Sequence, residues 1–577
     1  MNMSADTPAR MRLATLCASA ALAAPLAVQA DALIDPDGTG ATRVFPSQAT
    51  TTTGDLAGER LVIGFSDGEG TLEVNAEAEV NGVTSLVNVG DLEIAQRDNE
   101  RGELRVVGNG SAGSASVYQS GDFRLGANSD SFLSILDGGQ FFSNNSAADN
   151  GAFGLLIGSY ADFEPGNGNA SVRVDGAGSR LEVHGGGIDV GFTNDAGSDS
   201  LTVSNGAVVI ARQAADALDV YNASDDSFAL IDAQVIVGAD FVQGPTDTVT
   251  VSGAGSRLEF SSAYFHGGGN ARTEVLDGGQ LVQVENGDLI DRFIAHGNNS
   301  DFFDDGDFGI SVGTVYDEGA LVVRGTDGAG TASTVSATRD INIGGGERFA
   351  GFDADNNPIF RANAGEALVE DGALLHTTRD INVSEKDGPG TGVLTVNSGA
   401  TVMAQTVNVF DGGLLNGNGG TVMANVLVDG GTIGPGNSPG SLRIEGNLQI
   451  LDGLLQIEIG GTDLALYDQL LVTGDLIAPG GLGLELVFID GFTPAEGDTF
   501  AFLEVLGDAP VLADLSLIDL TVLGLDPGAE FTLDFTGGGL SVTTTMAPAP
   551  VPLPAALPLF GSALLALGAL RRRRRAA

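Results

Sequence analysis

Val172-Arg-Val-Asp-Gly-Ala-Gly-Ser-Arg-Leu-Glu-Val183 returns almost letter for letter as Val249-Thr-Val-Ser-Gly-Ala-Gly-Ser-Arg-Leu-Glu-Phe260. Leu136-Asp-Gly-Gly-Gln140 recurs as Leu276-Asp-Gly-Gly-Gln280, and Thr338-Arg-Asp-Ile-Asn-Ile343 as Thr378-Arg-Asp-Ile-Asn-Val383. Such copies are the mark of internal duplication. Around them, from about residue 60 to 430, one unit keeps returning: a short apolar run ending in Gly, a polar turn, a Leu-x-Val strand and a second Gly turn. Ile63-Gly64 precedes Leu72-Glu73-Val74, Leu125-Gly126 precedes Leu133-Ser134-Ile135, Val190-Gly191 precedes Leu201-Thr202-Val203, and Val312-Gly313 precedes Leu321-Val322-Val323. Alternation such as Leu394-Thr395-Val396 turns one apolar face inward per strand. One unit alone cannot bury that face, whereas stacked units share a continuous core. The gaps vary, from Gly64 to Leu72 in one copy and Gly158 to Val172 in another. A propeller or sandwich demands regular spacing; a solenoid releases extra residues as loops from one side. The pattern therefore predicts an all-β chain wound as a parallel β-helix. Its rungs would hold roughly 20 to 25 residues, stacked about 4.8 Å apart.

Composition supports that class. Gly accounts for 86 of 577 residues and Trp is absent, yet hydrophobic residues reach 42%. That is too apolar for a disordered chain and too rich in glycine for a helical one. Lys and Arg total 26 against 76 Asp and Glu. Without the first 30 residues and the terminal arginines, 19 basic residues face 75 acidic ones, a net of −56. The acids are spread along the whole chain, and a surface this acidic repels nucleic acid and anionic lipid.

A first resemblance lies between residues 414 and 444. Leu414-Asn-Gly-Asn-Gly-Gly420, Leu427-Val-Asp-Gly-Gly-Thr-Ile433, Pro435-Gly-Asn-Ser-Pro-Gly440 and Ser441-Leu-Arg-Ile444 resemble the repeat near the C-terminal end of autotransporter passenger β-helices. Tyr467-Asp-Gln-Leu470 and Gly497-Asp-Thr-Phe500 fit the same neighbourhood. The resemblance implies a right-handed coil. No alternating segments for a translocating β-barrel follow, so self-transport is not implied.

The two ends read as targeting segments. Arg10 and Arg12 precede an apolar stretch, Leu13 to Ala24, and Val28-Gln29-Ala30 offers a cleavage site after Ala30. Cleavage there would remove Cys17, the single cysteine, and leave no disulfide. At the other end stand Val551-Pro552-Leu553-Pro554-Ala555, an apolar run to Leu570, and Arg571, Arg572, Arg573, Arg574 and Arg575. The run is about long enough for one membrane-crossing helix, held by its positive flank. Box, span and arginine cluster together resemble the VPLPA variety of the PEP-CTERM sorting signal. That resemblance implies recognition by an exosortase-type membrane protease in a Gram-negative bacterium. The protein would be anchored transiently in the inner membrane, then delivered to the cell surface or extracellular matrix. The division expected is a signal peptide at 1–30, an N-terminal cap segment at 31–60, solenoid repeats at 61–440 and a β-rich end at 441–545. The linker and sorting tail occupy 546–577, with the transmembrane helix at about 553–570.

Chemistry is sparse. Gly-x-Ser-x-Gly strings occur at 64–68, 309–313 and 436–440, without the following helix of a nucleophile elbow. His184, His266, His296 and His376 fall at unrelated positions and read as solvated loop residues. Asp301, Asp304, Asp305 and Asp307, with Asp353 and Asp355, put several oxygens on Gly-rich loops, as Ca²⁺ prefers. Neither set completes a known calcium loop. No catalytic residues are assigned. The expected role is non-enzymatic, structural or adhesive, with an extracellular polysaccharide as the partner class; a polysaccharide lyase or hydrolase on the same scaffold is the alternative.

Overall fold

The computed structural model describes residues 41–546, apart from 46–54, 64–68, 76–83, 96–100, 127–129, 145–153, 159–167, 185–186, 192–196, 213–234, 239–245, 262–263, 267–268, 285–307, 315–316, 353–357, 437–438, 508–510, 513–514, 527 and 537. Nearly all described strands belong to one long sheet, wound into a coil with three strands per turn. Wall 1 is built by strands such as Ala170–Asp175, Ser200–Ser204, Thr246–Ser252 and Gly269–Leu276. Wall 2 runs through Arg180–His184, Val208–Arg212, Arg257–Phe260 and Gln280–Gln283. Wall 3 consists of three-residue strands, Ile188–Val190, Val235–Val237 and Tyr264–His266, followed by Phe308–Val312. Each strand pairs in parallel with the same wall one turn later. The expected parallel β-helix is thus the observed architecture. No α-helix occurs among the described residues.

The Leu-x-Val pattern becomes the core. Leu133 and Ile135, Val172 and Val174, Leu201 and Val203, and Val249 and Val251 stack turn upon turn, all fully buried. The single column between them, Ser134, Arg173, Thr202 and Thr250, points outward, as period two requires.

The copied motifs are corners. In the Asp-Gly-Gly copies the aspartate and first glycine both take positive φ (Asp137 51°, Gly138 87°; Asp277 51°, Gly278 86°), which makes the tight step from wall 1 to wall 2. In the Gly-Ala-Gly-Ser copies the serine ties two turns together. Ser179 Oγ donates to the Asp175 carbonyl (2.6 Å) and accepts the Gly138 N–H of the preceding turn (3.0 Å). Ser256 does the same between Ser252 and Gly206. Each hydroxyl thus pairs a glycine N–H of the preceding turn and adds a bond to a carbonyl of its own corner.

Turn length departs from the expected 20 to 25 residues. Thr395 meets its partner Asn416 after 21 residues, but Asp199 meets Asp247 only after 48. The corner from wall 1 to wall 2 stays short. The extra residues enter before or after wall 3, for example between Arg212 and Val235 and between Gln283 and Phe308. One insertion carries an antiparallel pair, Glu347–Phe352 with Pro358–Ala362. Strands lengthen near the C-terminus, where Gly420–Pro435 spans 16 residues and Leu448–Ile459 spans 12. There the corners open so far that the ladder runs on through them. Beyond Leu523 the parallel winding gives way to antiparallel pairing of Gly539–Met546 with both Thr499–Val505 and Glu530–Thr536.

Candidate functional site

Wall 3 is the decorated side of the coil, and its outward residues form the candidate surface. In the turns holding Asp340–Ile343, Ile381–Val383 and Thr401–Phe410, the outward position is Asn342, Asn382 and Asn408. Asn382 Nδ2 donates to Asn342 Oδ1, and Asn408 Nδ2 to Asn382 Oδ1, both at 2.8 Å. Beside this amide ladder, Asp340 Oδ1 accepts the Asp380 N–H (3.1 Å) and Asp380 Oδ1 the Thr406 N–H (3.0 Å). The repeated Thr-Arg-Asp-Ile-Asn sequence is therefore a two-column stack of carboxylate and amide groups, half-exposed along the rod.

A second polar set is sealed inside. In the turn Tyr264–Gln283 the inward positions held by valine one turn earlier carry Tyr264, His266 and Thr273, and Gln283 stands where the preceding turn has Phe260. Thr273 Oγ1 lies 2.6 Å from the Tyr264 hydroxyl and 2.8 Å from His266 Nε2, and all three side chains are buried. His266 Nδ1 has no hydrogen-bond partner among the described residues, and burial drives the imidazole down to about 3. Burial likewise raises the Tyr264 phenol, against the opposing bond from Thr273.

Two aspartates occupy a column where the coil otherwise permits only small residues. Its register reads Gly70, Gly102, Ser131, Ala170, Asp199, Asp247, Ala271, Gly319, Gly365 and Gly392. Asp199 Oδ1 accepts the Ala170 N–H (2.7 Å), and Asp247 Oδ1 the Asp199 N–H (2.9 Å). Room for the first carboxylate comes from Gly158: a Cβ there would lie 1.7 Å from Asp199 Oδ2. Burial pushes Asp199 up to about 7 although the Ala170 bond pulls it down. Asp189, mid-strand in wall 3 and fully buried, is also pushed to about 7 by burial, and its Oδ1 is unpartnered among the described residues.

These groups stabilise or strain the wall; they do not converge on a reacting centre. Ser311, in the 309–313 string, is buried with no partner for its hydroxyl among the described residues, and that string is a wall-3 strand, not an exposed elbow. The 64–68 string and Ser438 of the third lie outside the described residues. The histidines require a correction. His184 ends a wall-2 strand and bonds Glu182 at 2.6 Å, His376 lies on a wall-2 strand near Ser336, and His266 is in the core. None of the three is a solvated loop residue; His296 lies outside the described residues. So do Ala30, Val551 to Ala555, Arg571 to Arg575, and the calcium candidates Asp301, Asp304, Asp305, Asp307, Asp353 and Asp355. By chain position the candidates fall in the two insertions flanking Phe308–Val312 and Asp340–Ile343. No group of three or more His, Cys, Asp and Glu side chains able to hold a metal occurs among the described residues. No described helix is long and apolar enough to cross a membrane.

No protein family and no curated protein matches the chain. Among solved structures it is similar to the Hap adhesin of Haemophilus influenzae, at 10% identity and a TM-score of 0.17. The match covers 88% of this chain and 64% of the adhesin's, so the chain spans just under two thirds of that protein.

Proposed function

We propose that this protein is an exported, non-enzymatic β-helix of the cell surface or extracellular matrix, with a structural or adhesive role. The observation that carries the reading is the one-sided decoration of a continuous parallel coil: insertions flank wall 3 while the corner between walls 1 and 2 stays tight. In stacked-repeat proteins the side that receives insertions is commonly the binding side. The coil is taken as right-handed, following the strong preference of parallel crossovers. An extracellular polysaccharide is the favoured partner, meeting the half-exposed carboxylate and amide columns of wall 3; nucleic acid is excluded by charge. Delivery would use the C-terminal box Val551 to Ala555 and Arg571 to Arg575. An exosortase-type protease would act after transient inner-membrane anchoring through residues 553–570, and signal cleavage would follow Ala30. Ca²⁺ at the two acidic insertions is the one cofactor proposed; thermal stability should then rise more with millimolar Ca²⁺ than with Na⁺ at equal ionic strength. The deciding experiment follows tagged chain in cells with and without the sorting protease. Surface delivery lost on deleting Arg571–Arg575 supports the reading, and unchanged delivery of that variant overturns it.

A further inference from the structure

Among the described residues, the C-terminal end of the coil is left open. Leu484 and Leu486 are fully buried in the wall-1 column, but Leu520 and Val522, their partners one turn later, are only half-buried. No strand among those described pairs with the outer edge of Ile518–Leu523. Phe531, Leu533 and Phe535 alternate with exposed Glu530, Thr532, Asp534 and Thr536, and their shared apolar face is only partly covered. Leu506 (57% exposed), Leu517 (46%), Leu523 (45%) and Met546 (50%) lie at the ends of the same last strands. A core cross-section uncovered in this way needs an occupant.

Charge decides among the occupants. Between Glu445 and Met546 there are 17 acidic residues and no Lys, Arg or His. A second copy docked end to end through the same surface would bring two such acidic ends together, and an anionic bilayer would be repelled. The nearest cations in the chain are Arg571 to Arg575, which follow the apolar run Leu557 to Leu570. The last strand ends at Met546, so the run begins only ten residues beyond the open end. That linker reaches up to about 33 Å when extended. We propose that, before any processing, the chain's own C-terminal segment caps this end: the apolar residues 557–570 cover Leu520, Val522 and their neighbours, and the arginines pair with exposed acids such as Asp519, Asp526, Glu530 and Asp534. Docking of this kind would keep an apolar tail soluble until a bilayer competes for it. The inference stands apart from the sorting reading, because it concerns the purified chain without protease or membrane.

Hydrogen exchange on the full chain tests it, with strand Ala170–Asp175 as an internal reference for folding. In a variant combining Arg571→Glu, Arg572→Glu, Arg573→Glu, Arg574→Glu and Arg575→Glu, and separately in Leu564→Asp, amides of Ile518–Leu523 and Glu530–Thr536 should exchange at least about tenfold faster. The reference strand should be unchanged, and 1-anilinonaphthalene-8-sulfonate fluorescence should rise. Equal exchange in the parent and both variants overturns the proposal. So does protection that disappears on dilution, which assigns the end to a second copy. Protection that appears only with phosphatidylglycerol vesicles assigns it to the bilayer and overturns the proposal as well.

Discussion

Two turns of the same coil put their polar side chains on opposite sides of the wall. In Tyr264–Gln283 the inward columns hold a tyrosine, a histidine, a threonine and a glutamine; in the turn from Asp340 to Thr377 they hold Ile341, Ile343, Ala367, Val369 and Leu375. The second turn keeps its asparagine ladder, Asn342–Asn382–Asn408, outside; its inward exceptions are Thr377, bonded to the Arg339 carbonyl, and Asn363, whose Nδ2 donates to the Thr314 carbonyl. Both turns are laddered in parallel to their neighbours, with one register shift, between Phe308 and Ile310, opposite the start of the second. What differs is the consequence of losing a partner: inside, an orphaned group bears its full desolvation cost, while outside water replaces the partner.

The largest effect should come from the glycine that makes room for a buried carboxylate. Gly158 has φ 79° and abuts Asp199, so Gly158→Ala combines backbone strain with a side-chain collision. A loss of at least ~3 kcal/mol is expected in urea unfolding. Adding Asp199→Ala should recover ~1–2 kcal/mol of it, because the collision disappears and the strain remains. Purely additive losses would show that the two residues do not compete for space.

Next in size is the sealed triad. Thr273→Val keeps the volume but strips the Tyr264 hydroxyl and His266 Nε2 of their shared partner, and should cost ~2–3 kcal/mol. The triple change Thr273→Val, Tyr264→Phe, His266→Leu should cost far less than the single one, since no orphan remains. A triple variant less stable than Thr273→Val would mean that the triad is an asset in itself.

Much of this architecture could be read from the residues before any coordinates. Alternation is local, so Leu133-Ser134-Ile135 and its copies disclose a strand and its inward face directly. The duplicated pentapeptides and dodecapeptides disclose the corners for the same reason: their turn chemistry lies within a few residues. Register does not. His266 neighbours Thr273 around a corner, yet nothing local shows that both point into a lumen otherwise filled with Val and Leu. The Asp199–Asp247 stack joins residues 48 apart across an insertion whose length no periodicity predicts. Gly158 was visible as the end of an apolar run; its role as the socket for Asp199 required the next turn.

Acidity separates the buried groups by sign. Asp189 and Asp199 are pushed from 3.8 to about 7 by burial, as is Asp468 with a further push from Glu458. A folded chain that holds protons more tightly than the unfolded one is stabilised on acidification. That contribution is complete below pH 3.8 and is lost as pH rises through 7. His266, at about 3 instead of 6.5, behaves oppositely: its contribution is complete above pH 6.5 and is lost as pH falls toward 3. Stability should therefore climb from pH 8 to 6.5 and go on climbing below, at a slope that the one histidine reduces without cancelling the three acids. Asp189→Asn should raise stability at pH 8 by ~1–2 kcal/mol and shallow that climb. An unchanged slope would show that Asp189 does not take up its proton in this range.

The smallest effect belongs to the outer ladder, and it is the sharpest check on the contrast between the two turns. Asn382 both donates to Asn342 and accepts from Asn408, so Asn382→Ala removes two hydrogen bonds at once, as many as Thr273→Val removes inside. If bond number ruled, the two losses would match. Desolvation predicts otherwise, because all three asparagines are half-exposed and water can take the place of the missing amide. The expected loss is ~1 kcal/mol or less, read as a small shift of the urea midpoint. Asn382→Asp should cost about the same while placing a charge beside Asp340 and Asp380, and the penalty from that repulsion should shrink with added salt. A loss at Asn382 equal to that at Thr273 would mean that the outer column is sealed from water in solution, and that wall 3 is covered there.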